Sequence, residues 1–325
     1  MLPRLRHLTQ HLQHPRLARP FSLSHSNMST FTLPNSTPSC PVHLPPDLTK
    51  DALLSFPAFK NWIATLQRSL ALQRHKQHTF HTSPYALRRI DVQACDWFGG
   101  GEGKRLGFVK LKADVSNEAG EALPGSVFLR GGSVGMLLIL QPTDVPADSE
   151  KDKFVILTVQ PRVPAGSLAF AELPAGMLDD SGTFAGGAAK EIQEETGLRV
   201  ADDQLTDLTA LALADVPVCP ATTTTTTKPT VSSPDGDALD EQLTPAMYPS
   251  AGGCDEFIPL FLHQRRVERA ELQTWQGRLT GLREHGEKIT LKLVRLEELW
   301  RWGGRDSKAL GAWALYEGLR REGRL

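Results

Sequence analysis

The strongest constraint on the fold of this chain comes from one short segment, which has the pattern of a helix that ends at a glycine. The segment is LPAGMLDDSGTFAGGAAKEIQEETGL, residues 173–198, and it opens with a Gly-containing turn. Thr183, or alternatively Ser181, is a candidate N-cap, and Gly197 stands where the left-handed residue after a helix is expected. The alanines and the isoleucine between them predict a helix with one buried face.

Three carboxylates crowd the C-terminal end of this predicted helix, where the helix dipole disfavours anions. Glu191, Glu194 and Glu195 are spaced so that a helix places them on one side. The dipole costs each about 0.3–1 kcal/mol, and Glu191 and Glu195 also repel one another as an i, i+4 pair. A solvated acidic helix end is the plain explanation. A divalent cation is the functional one, because it would turn the repulsion into coordination.

The surroundings of the glutamates favour the metal. The segment resembles the Nudix box, G-x5-E-x7-R-E-U-x-E-E-x-G-U with U an aliphatic residue, when the pattern is anchored at Gly176. Two positions depart from it: Lys190 stands in place of the Arg, and Gly182 stands in place of the first Glu, with Asp179 and Asp180 just upstream. The missing first Glu affects the residues that would support the metal ligands. It does not remove the three glutamates themselves.

The composition argues against a membrane or nucleic-acid partner. The chain has 325 residues, 40% of them hydrophobic, and a formal net charge of −1. Its apolar runs, such as VGMLLIL, are too short to span a bilayer and predict buried strands. The balanced charge predicts no general affinity for a nucleic acid backbone. The 4 cysteines are scattered and form neither a zinc pattern nor a disulfide framework.

Composition also divides the chain into parts. Residues 1–46 lack Asp and Glu and are rich in Arg, His, Ser, Thr and Pro, which is typical of a mitochondrial or other organellar transit peptide or, alternatively, of a disordered basic tail. A start at Met28 would give a cytoplasmic form. Residues 47–128 carry a helical pattern and strands joined by GGGEGKR, which lacks the positions of a phosphate loop and predicts a loose hairpin connection. Residues 129–325 surround the box, and a Thr-rich stretch at 220–245 predicts a disordered insertion.

Further stretches extend the resemblance over residues 50–325, apart from the insertion. These stretches are GFVKLKAD, LRGGSVGMLLIL, TVQPRVPAG, ELPAGMLDD, PSAGGCDE, GLREHGE and LYEGLRREG. They are similar to segments of plant ADP-sugar diphosphatases of the Nudix superfamily and, more broadly, of ADP-ribose pyrophosphatases. The resemblance implies an α/β fold, namely a Nudix α/β/α sandwich with a mixed sheet, preceded by a helix-and-strand part that builds a homodimer. It also implies hydrolysis of ADP-sugars to AMP and sugar 1-phosphate with Mg²⁺ or Mn²⁺.

The same resemblance implies roles for individual residues. The metal would be held by Glu191, Glu194 and Glu195, with the backbone carbonyl of Ala175 as a further ligand. Substrate contacts are expected from residues outside the helix: Arg162, Arg130, Glu172, Asp255, Glu256 and Trp97. Each has a plain alternative, such as a surface ion pair for an arginine or a core or interface position for the tryptophan.

A general base is expected outside the box, because carboxylates that bind metal are poor proton acceptors. The stretch GLREHGEKI offers Glu284 and Glu287 on a predicted loop before a strand, and Glu287 falls in the better-matching place. His285 between them is better suited to orient a partner than to act as the base. The catalytic residues are therefore expected to be Glu287, Glu284 and the Glu195 of the box.

The sequence leaves the base and the sugar of the substrate open. UDP-sugars or another dinucleotide are alternatives within the same class of enzyme. A sensor that binds nucleotide-sugars without turnover is an alternative of another class, motivated by Gly182 and Lys190. Because all three metal-binding glutamates and a loop glutamate are present, we expect an enzyme.

Overall fold

The chain forms two β-sheets, one in its N-terminal part and a larger one that carries the box helix. The computed structural model describes residues 28–178, 183–214, 216, 241, 243–282 and 288–325. The strands are β1 (Ser29–Thr32), β2 (Pro41–Leu44), β3 (Ala86–Phe98), β4 (Arg105–Ser116), β5 (Ala122–Leu123), β6 (Ser126–Leu129), β7 (Ser133–Pro142), β8 (Phe154–Arg162), β9 (Ser167–Glu172), β10 (Ala175–Met177), β11 (Thr206–Asp207), β12 (Leu260–Val267), β13 (Leu279–Thr280) and β14 (Ile289–Arg295). The helices are α1 (Lys50–Ser55), α2 (Pro57–Leu72), α3 (Phe184–Thr196), α4 (Leu208–Leu213), α5 (Arg269–Trp275), α6 (Leu299–Trp302) and α7 (Ser307–Arg321).

The N-terminal sheet has the strand order β1-β2-β3-β4-β5, and β6 also pairs with β4. Strands β3 and β4 form the antiparallel hairpin expected around GGGEGKR, and a short 3₁₀ turn lies in the connection. Helices α1 and α2 bury Leu53, Phe59 and Ile63 in the same core as Ile90 of β3 and Leu111 of β4. This part is therefore a helix-and-strand unit with its own hydrophobic core.

The N-terminal sheet begins earlier than the composition suggested. Strand β1 pairs with β2, and β2 runs parallel to β3, with Val42 opposite Ile90. Val42 and Leu44 are buried in the core. The predicted tail of residues 1–46 is thus too long, because its last third is folded. Strands of four residues are too short to show a clear alternation, and their Ser, Thr and Pro neighbours resembled a tail. Residues 1–27 lie outside the described residues.

The larger sheet has the order β11-β12-β7-β8-β14-β13, with β10 on β7 and β9 on β8. It is mixed, because β12 is parallel to β7 whereas its other pairs are antiparallel. Alternate residues of β7 enter different cores: Met136 and Leu138 pack with α3, whereas Leu137 and Ile139 pack with α7. A strand covered on both faces is apolar throughout, which explains the VGMLLIL run. The expected α/β/α sandwich is confirmed.

Helix α3 begins and ends where the sequence predicts. The Thr183 hydroxyl accepts a hydrogen bond from the Gly186 amide at 3.0 Å, and Gly197 has the left-handed φ of 76°. Ala188 and Ile192 are buried against the sheet. Together these caps and contacts fix the rotation of the helix, and thereby the directions of its glutamates.

Two sequence predictions concern segments with little or no described structure. The predicted insertion at 220–245 lies outside the described residues except for Glu241 and residues 243–245. The predicted base loop, residues 283–287, lies outside them entirely. Among the helices that the structure does describe, none is long and apolar enough to cross a bilayer.

Candidate active site

The last turn of α3 directs the Glu195 carboxylate into the sheet rather than into solvent. Only 6% of this residue is exposed. Its Oε2 accepts a hydrogen bond from the Ala175 amide at 2.9 Å, and its Oε1 lies 3.4 Å from Nε2 of Gln160, a long hydrogen bond. Strand β10, which contains Ala175, is therefore tied directly to the end of the box helix.

Glu191 lies one turn earlier and contacts the same segment of backbone. A Cβ atom on Gly176 would lie 1.8 Å from Cδ of Glu191 and 2.1 Å from its Oε1. No side chain fits in that space, so the first glycine of the box is what lets Glu191 lie against the chain. The carboxylates of Glu191 and Glu195 thus converge on the backbone of Ala175 and Gly176.

A second pair of charged residues lies at the ends of β8 and β9. Arg162 donates from Nε to Oε1 of Glu172 at 2.6 Å, and Lys308 at the start of α7 donates to Oε2 of Glu172 at 3.0 Å. The Glu172 side chain is buried, whereas 41% of the Arg162 side chain is exposed. An arginine held by a buried carboxylate and open to solvent is well placed to bind a phosphate.

Electrostatics join the two pairs into one site. Burial raises the pKa of Glu195 to about 8; the Ala175 amide opposes this, the charges of Glu191 and Glu172 add to it, and that of Arg162 opposes it. The Glu195 carboxylate therefore responds to Glu191 on its own helix and also to the Arg162–Glu172 pair from the neighbouring hairpin. A buried carboxylate facing further negative charge is an environment that a bound cation would relieve.

The donor set fits a hard divalent metal. In the described part of the chain, no three His, Cys, Asp or Glu side chains are grouped so as to hold a metal ion. Mg²⁺ does not require such a group, because it keeps several waters and binds one or two carboxylates together with substrate phosphates. Glu191, Glu195 and the Ala175 carbonyl offer only oxygen donors, which suits Mg²⁺ or Mn²⁺. Glu194, which lies between Glu191 and Glu195 in the sequence, is half-buried. Its role as a ligand stays a prediction.

Three further predicted substrate residues form a cluster at the start of β7. Asp255 accepts hydrogen bonds from the backbone amides of Arg130 at 2.7 Å and Gly131 at 3.2 Å, and burial raises the pKa of Asp255 against the effect of these donors. Glu256 pairs with Nη1 of Arg130 at 3.1 Å and accepts from the Ser133 hydroxyl at 2.9 Å. These carboxylates therefore hold the turn before β7, and a contact with substrate stays a prediction.

The predicted stacking residue, Trp97, lies in β3 of the N-terminal sheet. The ammonium of Lys104 is 4.9 Å from the centroid of its ring. Trp97 lines a groove of about 1820 Å³ whose walls also include Arg130, Met177 and Phe184. The groove therefore runs from the N-terminal sheet to the segment beside the box, and a role for Trp97 in stacking on a nucleobase stays a prediction. The predicted bases, Glu284 and Glu287, lie outside the described residues.

The site contains residues that sequence reasoning missed. Gln160 lies two positions before Arg162 in β8, a spacing that could have indicated it, although the pairing with β9 shifts register between the two residues. Asp306 and Lys308 had no local signal, because Lys308 is 136 positions from its partner Glu172. Their place depends on how α7 packs across the sheet.

A mixed α/β/α sandwich in which helix α3 carries the box carboxylates defines a Nudix-type hydrolase domain. No family model matches the chain. The chain is 36% identical over 267 residues to Nudix hydrolase 14, chloroplastic, of Arabidopsis thaliana, and the alignment covers 82% of this chain and 71% of that protein. A crystal structure of an ADP compounds hydrolase aligns with 74% of this chain and 99% of its own, at 14% identity and a TM-score of 0.36.

The similarity to the Arabidopsis protein is extensive enough to settle the family. The chain belongs to the Nudix hydrolases. Hydrolysis of nucleotide diphosphates is the corresponding class of reaction, and enzymes of this class generally use divalent metals such as Mg²⁺.

Replacement of Gly176 by alanine should abolish tight metal binding. The added methyl group would occupy the position of the Glu191 carboxylate, so Glu191 must move away from the site. We expect the Kd for Mn²⁺, measured by electron paramagnetic resonance, to rise at least about tenfold with the loss of one carboxylate ligand. The matched control is Gly187→Ala in α3, where a Cβ meets Leu178 at an ordinary 3.4 Å; it should retain the metal. Equal Mn²⁺ affinities for the two variants would exclude Glu191 as a ligand.

Proposed function

We propose that this Nudix hydrolase cleaves the diphosphate bond of ADP-sugars, such as ADP-ribose and ADP-glucose, to AMP and sugar 1-phosphate with Mg²⁺ or Mn²⁺. The observation that supports this best is geometric: Gln160 of β8 contacts Glu195, and Arg162, two positions later in the same strand, pairs with Glu172. It combines, in one site, carboxylates that suit a cation and an exposed arginine that suits a phosphate. The stretches similar to ADP-sugar diphosphatases support the choice of substrate.

The chemistry requires charge neutralisation and a proton acceptor. Attack of water forms a new phosphorus–oxygen bond, the bridging phosphorus–oxygen bond breaks, and one phosphate monoester leaves with the electron pair. Arg162 would bind a phosphate through its terminal amino groups while Glu172 holds its Nε. Glu191, Glu195 and the Ala175 carbonyl would hold the metal, which supplies positive charge to the diphosphate when bound. The proton of the water would pass to Glu287, with Glu284 as the alternative acceptor.

Product analysis with several substrates tests the proposal directly. We expect ADP-ribose and ADP-glucose, incubated with the protein and Mg²⁺, to give AMP and the sugar phosphate on ion-exchange chromatography. Glu195→Gln should lower turnover by several orders of magnitude, because it removes a metal-binding charge. Its melting temperature without metal should hold or rise, because it also removes the cost of burying an ionisable carboxylate. Preference for UDP-glucose would refute the nucleotide assignment, and binding without products would indicate a sensor.

The base can be identified by two matched substitutions in the GLREHGE segment that precedes β14 in the sequence. We expect Glu287→Gln to lower kcat by a factor of about 10²–10⁴, the range for loss of a general base. Glu284→Gln should cost much less, and KM and metal affinity should change little in either variant. Steady-state kinetics with ADP-ribose decides between them. A larger loss for Glu284→Gln would move the base to that residue, and two active variants would place it elsewhere, with Glu256 as the next candidate.

The basic N-terminal segment is proposed to direct the protein to an organelle. Its composition supports this, and the similar Arabidopsis protein is named as chloroplastic. Residues 1–46 fused to a fluorescent reporter should enter an organelle, whereas a fusion that starts at Met28 should enter it less. A diffuse cytosolic signal from the longer fusion would contradict the proposal.

A homodimer built by the N-terminal part is proposed from the same resemblance. Sedimentation equilibrium should then give twice the chain mass of 35.7 kDa. A single-chain mass at micromolar concentration would contradict it.

A further inference from the structure

Lys308 is a buried lysine whose ammonium group reaches the edge of the candidate active site. Its side chain is 12% exposed, and its Nζ lies 3.0 Å from Oε2 of Glu172 and 2.9 Å from Oδ1 of Asp306. Burial acts to lower the pKa of Lys308, but the charges of Asp306 and Glu172 outweigh it, so that the pKa is raised. The group is therefore a permanent cation at neutral pH.

Strand β7 and the start of α7 together fix the position of the Lys308 side chain. The stem of Lys308 passes over Gly135 of the central strand β7, where a Cβ would lie 3.3 Å from Cδ of the lysine. Asp306 caps α7 by accepting from the Lys308 amide at 3.1 Å, and its other oxygen accepts from the Leu173 amide at 2.9 Å. Because Leu173 follows Glu172 directly, the start of α7 and the end of β9 are fixed to one another.

The two oxygens of Glu172 are divided between two cations. Oε2 receives Lys308, and Oε1 receives Nε of Arg162 at 2.6 Å. A guanidinium beside a free carboxylate tends to form two parallel bonds, one to each oxygen. With Lys308 bound to one of them, Arg162 is held through Nε, and its terminal amino groups form no hydrogen bond within the described part of the chain.

We propose that Lys308 is a positioning residue for substrate binding: by holding one oxygen of Glu172, it keeps Arg162 from a two-point pair and leaves the arginine's terminal amino groups for the substrate phosphate. This inference rests on the proposed function, because it takes the diphosphate as the ligand of Arg162. Lys308 itself does not contact the substrate in this arrangement. It acts through Glu172 and Arg162.

Lys153, which precedes β8 and contacts α7, provides a matched control for the structural effect of losing a buried lysine. Its Nζ pairs with Glu150 at 2.6 Å and with the hydroxyl of Tyr316 on α7 at 2.9 Å, and it is as deeply buried as Lys308. Lys153→Met and Lys308→Met should both lower the melting temperature. If Lys308 positions Arg162, only Lys308→Met should change substrate binding.

The experiment is a double-mutant cycle with ADP-ribose and Mg²⁺, in the full chain. Lys308→Met should raise KM about tenfold, the effect of losing a hydrogen bond to a charged group, and change kcat little. In an Arg162→Ala background the same substitution should leave KM nearly unchanged, because the effect passes through that arginine. Lys308→Arg, which keeps a charged donor, should raise KM less than Lys308→Met. Should Lys308→Met fail to fold, Lys308→Gln takes its place with the same expectation.

Several results would overturn the role of Lys308. These are independent effects of the two substitutions in the cycle, an equal rise in KM for Lys153→Met, or a Lys308→Arg variant as impaired as Lys308→Met. A failure of the proposed function is distinguished from these, because the wild-type protein would then release no AMP. Normal release of AMP with independent effects in the cycle would refute the role of Lys308 alone.

Discussion

The hydrogen bond from the Ala175 amide to the buried carboxylate of Glu195 is the interaction on which the site depends. It joins the end of α3 to β10, so this strand is held against the last turn of the box helix. The Thr280 hydroxyl donates to the backbone carbonyl of Glu195 and satisfies one of the free acceptors at the helix end. Taking an ion out of water costs several kcal/mol, and one amide offsets only part of that cost. The position is therefore poor for stability and suitable for a cation.

Neighbouring cations offset the cost of burying the Glu172 carboxylate, whereas the cost of burying Glu195 is not offset in this way. Glu172 is as deeply buried as Glu195, but it lies between Arg162 and Lys308, each within hydrogen-bond distance. Glu195 has no cation at that distance among the described residues, and its pKa is raised to about 8. One buried carboxylate is thus neutralised by the protein, and the other is not. Under the proposed function, the substrate phosphate would bind on the Arg162 side of the site and the cation on the α3 side.

The parts of the fold that sequence analysis predicted are those with local causes. Thr183 and Gly197 fix the limits of α3 through contacts with residues only a few positions away, and the box spacing then places the glutamates. The apolar run of β7 follows from cover on both faces. The hairpin of β1 and β2 was missed because β2 pairs with a strand 48 positions away in the sequence, and a four-residue strand has no period to detect. A pairing between distant segments leaves little trace in either one.

The same reasoning explains why the lysine of α7 was missed, and it shows how stability and substrate binding are coupled. Ala309, Ala312, Tyr316 and Leu319 of α7 are buried in the core on one face of the large sheet. That packing sets where the first turn of the helix lies, and the first turn carries Asp306 and Lys308. A hydrogen bond of 3.0 Å is lost when its atoms separate by less than about 1 Å. A change in the core under α7 can therefore reach Glu172, and through it the guanidinium of Arg162, without any residue of the core approaching the substrate. Under the proposed function, helix α7 is in this sense part of the binding site.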